Sequence, residues 1–529
     1  MKQNWRSLSL KEQIAQMIIV RASGHLFDHQ IRYPAWEANN QQLKTWLREL
    51  NLGGVILLGG SSVELQVRSQ QLQSWANIPL FIAADIEEGI GQRFPGGTWF
   101  PPPMALGKIY EQNPDLARQY AHQMGEVTAR EALAVGINWL LAPVVDVNNN
   151  PDNPAINIRA FGDRPEVVAD LTTAFIQGAK STAILTTAKH FPGHGDTSTD
   201  SHLDLPALNH SESRLATVEL PPFEQAIATG VDSVMTAHLL IAAWDAKLPV
   251  TLSQKIVTEI LRNRLGFSGL VVTDALIMGG ITKYATPEIV AVMAVEAGTD
   301  ILLMPDNPEV AIASIYDAVQ TGRIKQSRIQ ESLARIWQAK QQVFADSTTI
   351  TELSSDRARS TVNSILKNSL QQSKTSIITD PHAPGRNLIV VDDLLTANYL
   401  DINSPAITIP QEYNYQRQLV DGNTLDCILL DSRSTLLQVF IRGNPFRGNA
   451  GLTNKTKAIY QQLITNQQVA GIAIYGSPYV LEWFKSIMGS DFPWVFTYGQ
   501  MPQAQAIALK TLFTDNSQPL EFQSHNFGF

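Results

Sequence analysis

The chain is 529 residues long, too long for one ordinary domain, so two or more are expected. A hydrophobic content of 44% and a charged content of 17% exclude a largely disordered protein. A net charge of −9 without a Lys/Arg cluster argues against a nucleic-acid partner, and the single cysteine, Cys427, excludes an internal disulfide or a multi-thiolate metal site.

The opening Met1-Lys2-Gln3-Asn4-Trp5-Arg6 runs into a polar helical start, not an apolar signal core. No uninterrupted apolar run reaches the roughly 18 residues that a membrane span needs. The expectation is a soluble, cytoplasmic protein with no membrane partner.

Short apolar runs recur along the chain, at Gln16–Ala22, Gly54–Leu58, Pro79–Ala84, Ile137–Val145, Ala183–Ala188, Ser233–Ala237, Gly269–Thr273 and Asp300–Met304. Most are apolar on both faces, which suits parallel strands covered by helices. Helical spacing fills the gaps, clearly so over Pro114–Val135, Pro165–Ala179, Gln254–Arg264 and Ser327–Phe344. Eight strand-helix units predict an α/β fold with a (β/α)8 TIM-type barrel over residues 1–350; an open doubly wound sheet is the competing arrangement. The polar residues favour the barrel. Asp85, Asp146, Lys189-His190, His238 and Asp274 each stand at or just past the end of a different strand, and a closed barrel gathers those ends around one mouth.

Residues 351–386 read as a helix, Ser354–Asn368, followed by a linker from Gln371 to Arg386 with Pro381, Pro384 and Gly385. Residues 387–529 read as a smaller C-terminal α/β domain with an open sheet. Its expected strands are Asn387–Val391, Ala406–Ile409, Cys427–Leu430, Leu436–Ile441, Gly471–Tyr475 and Trp494–Tyr498, with helices at Lys455–Thr465 and Pro478–Met488. The turn at Gly476–Pro478 lacks the spacing of a dinucleotide fingerprint.

The stretch Lys189-His190-Phe191-Pro192-Gly193-His194-Gly195-Asp196, continuing to Asp200-Ser201-His202, concentrates ionisable groups in a loop of Gly, Ser, Thr and Pro. Asp200 and His202 are two apart, a spacing that lets a carboxylate orient an imidazole as a proton shuttle. The same histidines and aspartates suit zinc or iron, although they lie in a row without a second ligand set elsewhere. Asp274, after an apolar strand, reads either as a helix N-cap or as a catalytic carboxylate. Asp85, Arg93 and Arg159 read either as an ion pair locking two loops or as a cage for sugar hydroxyls.

Together these motifs resemble glycoside hydrolase family 3, in its bacterial β-N-acetylhexosaminidase branch. The loop from Lys189 to Asp196 followed by Asp200-Ser201-His202 is similar to that branch's signature. Supporting matches are Asp85-x-Glu87 with Arg93, Arg159-Ala160-Phe161-Gly162, Thr273-Asp274 and Ala297-Gly298-Thr299-Asp300. Glu88 and Ile90 stand where the family often has glycine and arginine, and Arg164 where it has an acid. The second domain is similar in kind to the α/β sandwich-like domain that many members carry.

The resemblance implies a retaining exo-β-N-acetylglucosaminidase. Asp274 would be the nucleophile and His202, paired to Asp200, the acid/base on a loop that Gly193, Gly195 and the Ser/Thr run free to close. Asp85, Arg93, Arg159, Lys189 and His190 would hold the terminal GlcNAc. It implies no metal and no organic cofactor, a small carbohydrate substrate such as a muropeptide of cell-wall recycling, and no particular oligomeric state. A β-glucosidase or a β-N-acetylglucosaminide phosphorylase of the same fold is the enzymatic alternative. A non-catalytic sugar-binding protein is the alternative of another class.

Overall fold

The apolar runs of the first two thirds become eight short parallel strands: β1 (Ile18–Ser23), β2 (Gly54–Leu58), β3 (Phe81–Ala84), β4 (Trp139–Leu140), β5 (Thr187–Phe191), β6 (Ser233–Thr236), β7 (Leu270–Thr273) and β8 (Leu302–Leu303). A computed structural model describes residues 4–344, 352–377, 384–430, 433–443 and 450–513. Strands β8-β1-β2-β3-β4 pair in that order, and so do β5-β6-β7. Parallel bridges Trp139↔Leu185 and Val144↔Lys189 join β4 to β5, and Val272↔Ile301 joins β7 to β8. The ring therefore closes as a (β/α) barrel, and the open sheet is excluded.

Burial explains why these strands lack alternation. Every residue of β3, β5, β6 and β7 is buried, with helices outside and packed side chains within. The barrel interior is not wholly apolar. Trp139 donates its indole N–H towards Thr187 and Ser233 hydroxyls at 2.9 and 3.1 Å, which satisfies a buried donor. Outside, helices begin at Pro114, Pro165, Pro287 and Pro308, where the missing proline N–H is one that a helix start leaves unpaired anyway. At the start of β8, buried Asp300 accepts from the Val271 backbone and the Ser332 hydroxyl, and pairs with Arg262, Arg328 and Arg335. This clamp explains Asp300 in the Gly298-Thr299-Asp300 motif without chemistry.

The chain separates into two units, Met1–Ile365 with Gly443–Ala450, and Leu366–Arg442 with Gly451–Phe529. In the second, β9 (Gln371–Gln372), β10 (Gly385–Val390), β11 (Tyr415–Val420), β12 (Thr435–Ile441), β13 (Val469–Gly476) and β14 (Trp494–Thr497) form an open sheet of order β9-β14-β13-β12-β10-β11. Among the described residues only the β9–β14 pair of this sheet is antiparallel.

Some elements differ from expectation. Ala406–Ile409 lies in a helix, Pro405–Glu412, because Pro405 presets a first helical turn and buried Ala406 packs there against Gln505. Cys427–Leu430 belongs to a 3-10 turn, Leu425–Leu430. Strand β11 was not expected, since its edge position lets it carry polar residues on exposed faces. The expected strand Ile137–Val145 shrinks to Trp139–Leu140, and Pro143 has no N–H to give a ladder. Pro381 lies outside the described residues. Among those described, no helix is long and apolar enough to cross a membrane.

Candidate active site

Lys189 and His190 lie inside β5 rather than beyond it, at the strand's mouth end. The pairing with β6 shifts register between Lys189 and Phe191, which breaks the strict alternation of a regular strand. The Lys189 ammonium is 1% exposed and lies 2.8 Å from Asp85 Oδ1 and 2.6 Å from Glu87 Oε1. Glu87 in turn accepts two N–H bonds from Arg159, at 2.8 and 2.7 Å. Asp85, Lys189, Glu87 and Arg159 thus form one chain of alternating charge across the loops after β3 and β4 and the mouth end of β5.

Two acids balance two bases there, which is what makes the burial tolerable. Burial alone would raise the Glu87 carboxyl; Arg159 and Lys189 reverse that and hold it well below the ordinary range. Burial likewise opposes the charged form of Lys189, but Asp85 and Glu87 raise its pKa above the usual value. Asp85 is the open end of the chain, with 38% of its side chain exposed. Arg93 is exposed and donates to the Asp85 backbone carbonyl at 3.2 Å.

Asp146 organises the next layer. Its Oδ2 lies 2.8 Å from His190 Nδ1, and its Oδ1 accepts the backbone N–H groups of His190 and His194 at 3.1 and 2.7 Å. The bond at Nδ1 fixes the ring of His190 and directs exchange of a proton to its other nitrogen. His194 is buried, which pushes its pKa down to about 4, so it is neutral near pH 7. Its ring nitrogens meet the Thr197 hydroxyl at 2.7 Å and the Ser201 hydroxyl at 3.0 Å. A histidine without an assigned role in the sequence is therefore the staple of the loop.

The two glycines expected to free this loop serve close packing instead. A Cβ on Gly195 would meet the Val147 carbonyl oxygen at 1.8 Å, and one on Gly193 would meet Glu219 at 2.9 Å. Asn153 also donates to the His194 and Gly195 carbonyls at 2.8 and 2.9 Å. Asp196 is drawn outward, 3.1 Å from His210 and 3.2 Å from Arg214. The first half of the loop is pinned, and any freedom falls to its second half.

In that second half, buried Asp200 accepts the His202 backbone N–H at 2.9 Å and lies 2.8 Å from His202 Nδ1. The backbone around the pair docks onto the segment after β7. Gly279 N–H donates to the His202 carbonyl and Gly280 N–H to the Ser201 carbonyl, each at 3.0 Å. A Cβ on Gly279 would come 2.8 Å from the His202 carbonyl oxygen, and one on Gly280 2.8 Å from that of Ser201, so glycine permits the approach.

Asp274 follows β7 directly. Its backbone N–H bonds to Thr236 O, and its Oδ1 accepts from Ala275 N–H at 2.7 Å. Burial would raise this carboxyl, yet the fields of His190, His238 and His202 and the Ala275 bond outweigh it and hold the pKa below the ordinary value. His238, wedged between Thr251 and the Ala275 carbonyl, is pushed down by burial. The barrel thus gathers an ionised carboxylate, three histidines and a charged cluster at one mouth. Asp146 and Glu87 are the residues that sequence reasoning passed over as site members. Both stand at or just past strand ends, a signal that marks position but not partners.

A family model described as the glycosyl hydrolase family 3 N terminal domain matches residues 9–339, and one described as the bacterial glycosyl hydrolase family 3 C-terminal domain matches residues 379–514. Beta-hexosaminidase A of Pseudoalteromonas piscicida is 34% identical over 330 residues, covering 56% of this chain and 55% of the relative; the chain thus matches about half that relative's length. A beta-hexosaminidase of Nitrosomonas eutropha is 34% identical over 292 residues, 53% of this chain and 83% of its own. Among solved structures, a family 3 β-N-acetylglucosaminidase from Paenibacillus sp. str. FPU-7 superposes with a TM-score of 0.81 at 28% identity, covering 96% of this chain and 97% of its own. A β-glucoside phosphorylase superposes at 0.80 with 21% identity, covering 96% and 92%, a likeness of fold alone.

Proposed function

The chain belongs to glycosyl hydrolase family 3, and from that premise we propose that it is a retaining exo-β-N-acetylglucosaminidase. The observation that carries this reading is the Asp200–His202 pair, docked by its backbone onto Gly279 and Gly280 a few residues past an ionised Asp274. The names of the β-hexosaminidase relatives support an amino sugar as the group released, and that of the similarly folded β-N-acetylglucosaminidase supports the choice of GlcNAc.

In the first step the Asp274 carboxylate attacks the anomeric carbon while protonated His202 gives its proton, from Nε2, to the departing glycosidic oxygen. The sugar is then an ester of Asp274 and His202 is neutral. In the second step His202 takes a proton from water, whose oxygen attacks the anomeric carbon and releases the Asp274 carboxylate. Two inversions give net retention. Asp200 holds the imidazole in orientation through Nδ1. Asp85 and Lys189 hold sugar hydroxyls, with His190 beside them. Arg159 borders the sugar and steadies Glu87, and Arg93 braces the Asp85 loop.

The natural substrate in this reading is a muropeptide bearing terminal GlcNAc on anhydro-MurNAc, which makes the reaction a step of cell-wall recycling. Incubation with an aryl β-N-acetylglucosaminide and the matching β-glucoside tests the activity. Release from the first and little from the second is expected, and no cleavage of the first overturns the proposal. Product analysis on GlcNAc-anhydro-MurNAc tests the natural substrate.

The imidazole favours one second reading. Unlike a carboxylate, neutral His202 does not repel an incoming phosphate dianion, which suits a phosphorylase. Rate acceleration by phosphate with a sugar 1-phosphate product identifies that reaction.

A further inference from the structure

The connection from Gly24 to Asn39, between β1 and the helix Asn40–Thr45, is long for a strand-to-helix loop, and long ordered loops in compact domains are commonly functional. It carries three exposed rings, Phe27, Tyr33 and Trp36, at 62, 43 and 43% exposure. The loop is nevertheless held in place. Asp28 Oδ1 accepts the Asn40 backbone N–H at 2.8 Å, and Asn40 Nδ2 donates to the Leu26 carbonyl at 3.0 Å.

Against this loop lies a cavity of about 400 Å³ whose wall includes Arg21, Trp36, Trp46, Ile277 and Asp306. Arg21 gives its Nε–H to Glu37 at 2.9 Å, and its guanidinium carbon is 4.7 Å from the Tyr33 ring centre and 5.7 Å from that of Trp36. Its Nη2 is buried and has no hydrogen-bond partner among the described residues. A buried donor in that position is satisfied when a ligand oxygen arrives.

The cavity's place in the ring gives its role. Ile277 is three residues past Asp274, and Gly279, two further on, bonds the His202 carbonyl. Leu276 N–H reaches the Leu303 carbonyl at 2.9 Å, tying the Asp274 loop to the end of β8 beside the same cavity. The Asp85–Lys189–Glu87–Arg159 cluster stands on the β3 to β5 side, away from β7, β8 and β1 in ring order. The cavity therefore lies on the β8 to β1 side of the ring, beside the Asp274 segment that holds the His202 backbone, and away from the groups assigned to the terminal sugar.

We propose that this cavity is a leaving-group subsite for a pyranose ring of an oligosaccharide, with Trp36 as its stacking platform and Arg21 Nη2 as a donor to a hydroxyl or acetamido oxygen. The carboxylates of Asp28 and Asp306 add acceptors for ring hydroxyls. The proposal rests on the hydrolase reading above, and it makes Trp36 a specificity-determining residue.

The test compares kcat/KM of the full chain and its Trp36→Ala variant on β-1,4-linked GlcNAc dimer, trimer and tetramer against methyl β-N-acetylglucosaminide, whose leaving group is too small to reach the loop. The expected result is a fall of about fivefold or more in the oligosaccharide-to-methyl ratio, carried by KM, with Trp36→Phe restoring most of it. An unchanged ratio overturns the subsite. If neither substrate is cleaved by the unaltered protein, the hydrolase reading fails instead. Calorimetric titration with the tetramer then still decides the subsite: weaker binding by Trp36→Ala supports it, and equal binding overturns it.

Discussion

Asp200 meets His202 Nδ1 at 2.8 Å from a fully buried position, while the ring of His202 is 24% exposed at the mouth. A buried carboxylate bonded at Nδ1 orients the ring and leaves Nε2 for proton exchange. In the proposed mechanism the pair acts as one proton-transfer unit.

Replacing His202 by Ala removes the proposed proton donor, and general acid–base catalysis contributes about 10²–10⁴-fold. We expect kcat/KM on an aryl β-N-acetylglucosaminide to fall within that range. Asp200→Asn keeps the shape and removes the charge, with an expected loss of about 10²-fold. Steady-state kinetics check both; activity of either variant within about twofold of the parent contradicts the assignment.

The fields around Asp274 hold its carboxyl below the ordinary carboxylate value. It is ionised at every pH above that range and loses its charge only as pH falls through the lowered value. The acid limb of kcat/KM is therefore expected below about pH 4, the usual value for Asp. The profile measured with a stable buffer series checks this, and an acid limb set well above that value by Asp274 contradicts it.

Glu87 has a folded-state pKa well below its unfolded one, so its stabilisation is present above the unfolded value, about pH 4.3, and is lost as pH falls through the folded one. Glu87→Gln leaves Lys189 and Arg159 buried against a neutral group. Breaking a buried pair in this way costs about 3–5 kcal/mol. Denaturant unfolding at pH 7 is expected to show that loss, shrinking as pH is lowered.

Asp300 supplies a contrast. Burial opposes its charge, but Arg262, Arg328 and Arg335 hold its pKa below the ordinary value, and it lies at the start of β8, away from the mouth. Asp300→Asn is expected to lower stability by about 3–5 kcal/mol at neutral pH while the folded fraction keeps the parent kcat. Calorimetry paired with active-site titration separates the two effects.

The barrel was legible because strands buried on both faces read as unbroken apolar runs, and because ionisable residues end them abruptly at Asp85, Lys189 and Asp274. Its partnerships were not. Asp146 is 44 and 48 positions from His190 and His194 in sequence, and no local pattern joins them. Glu87 looked like a neighbour of Asp85, although its partners come from the loop after β4 and from β5. In the second unit the β-branched run Ala406–Ile409 suggested a strand, where a proline start and tertiary packing made a helix. The loop from Gly24 to Asn39 mixes aromatic and polar residues without a period, so its cavity left no signal in the sequence.

In the proposed mechanism Asp274 becomes covalently bonded to the sugar. Trapping the enzyme with a slow fluorinated β-N-acetylglucosaminyl substrate, followed by peptide mass mapping, tests it most directly. We expect one added sugar on the peptide containing Asp274, absent in Asp274→Ala, with β-configured GlcNAc as the first product by NMR. Label on another residue, or α-configured GlcNAc as the first product, contradicts it.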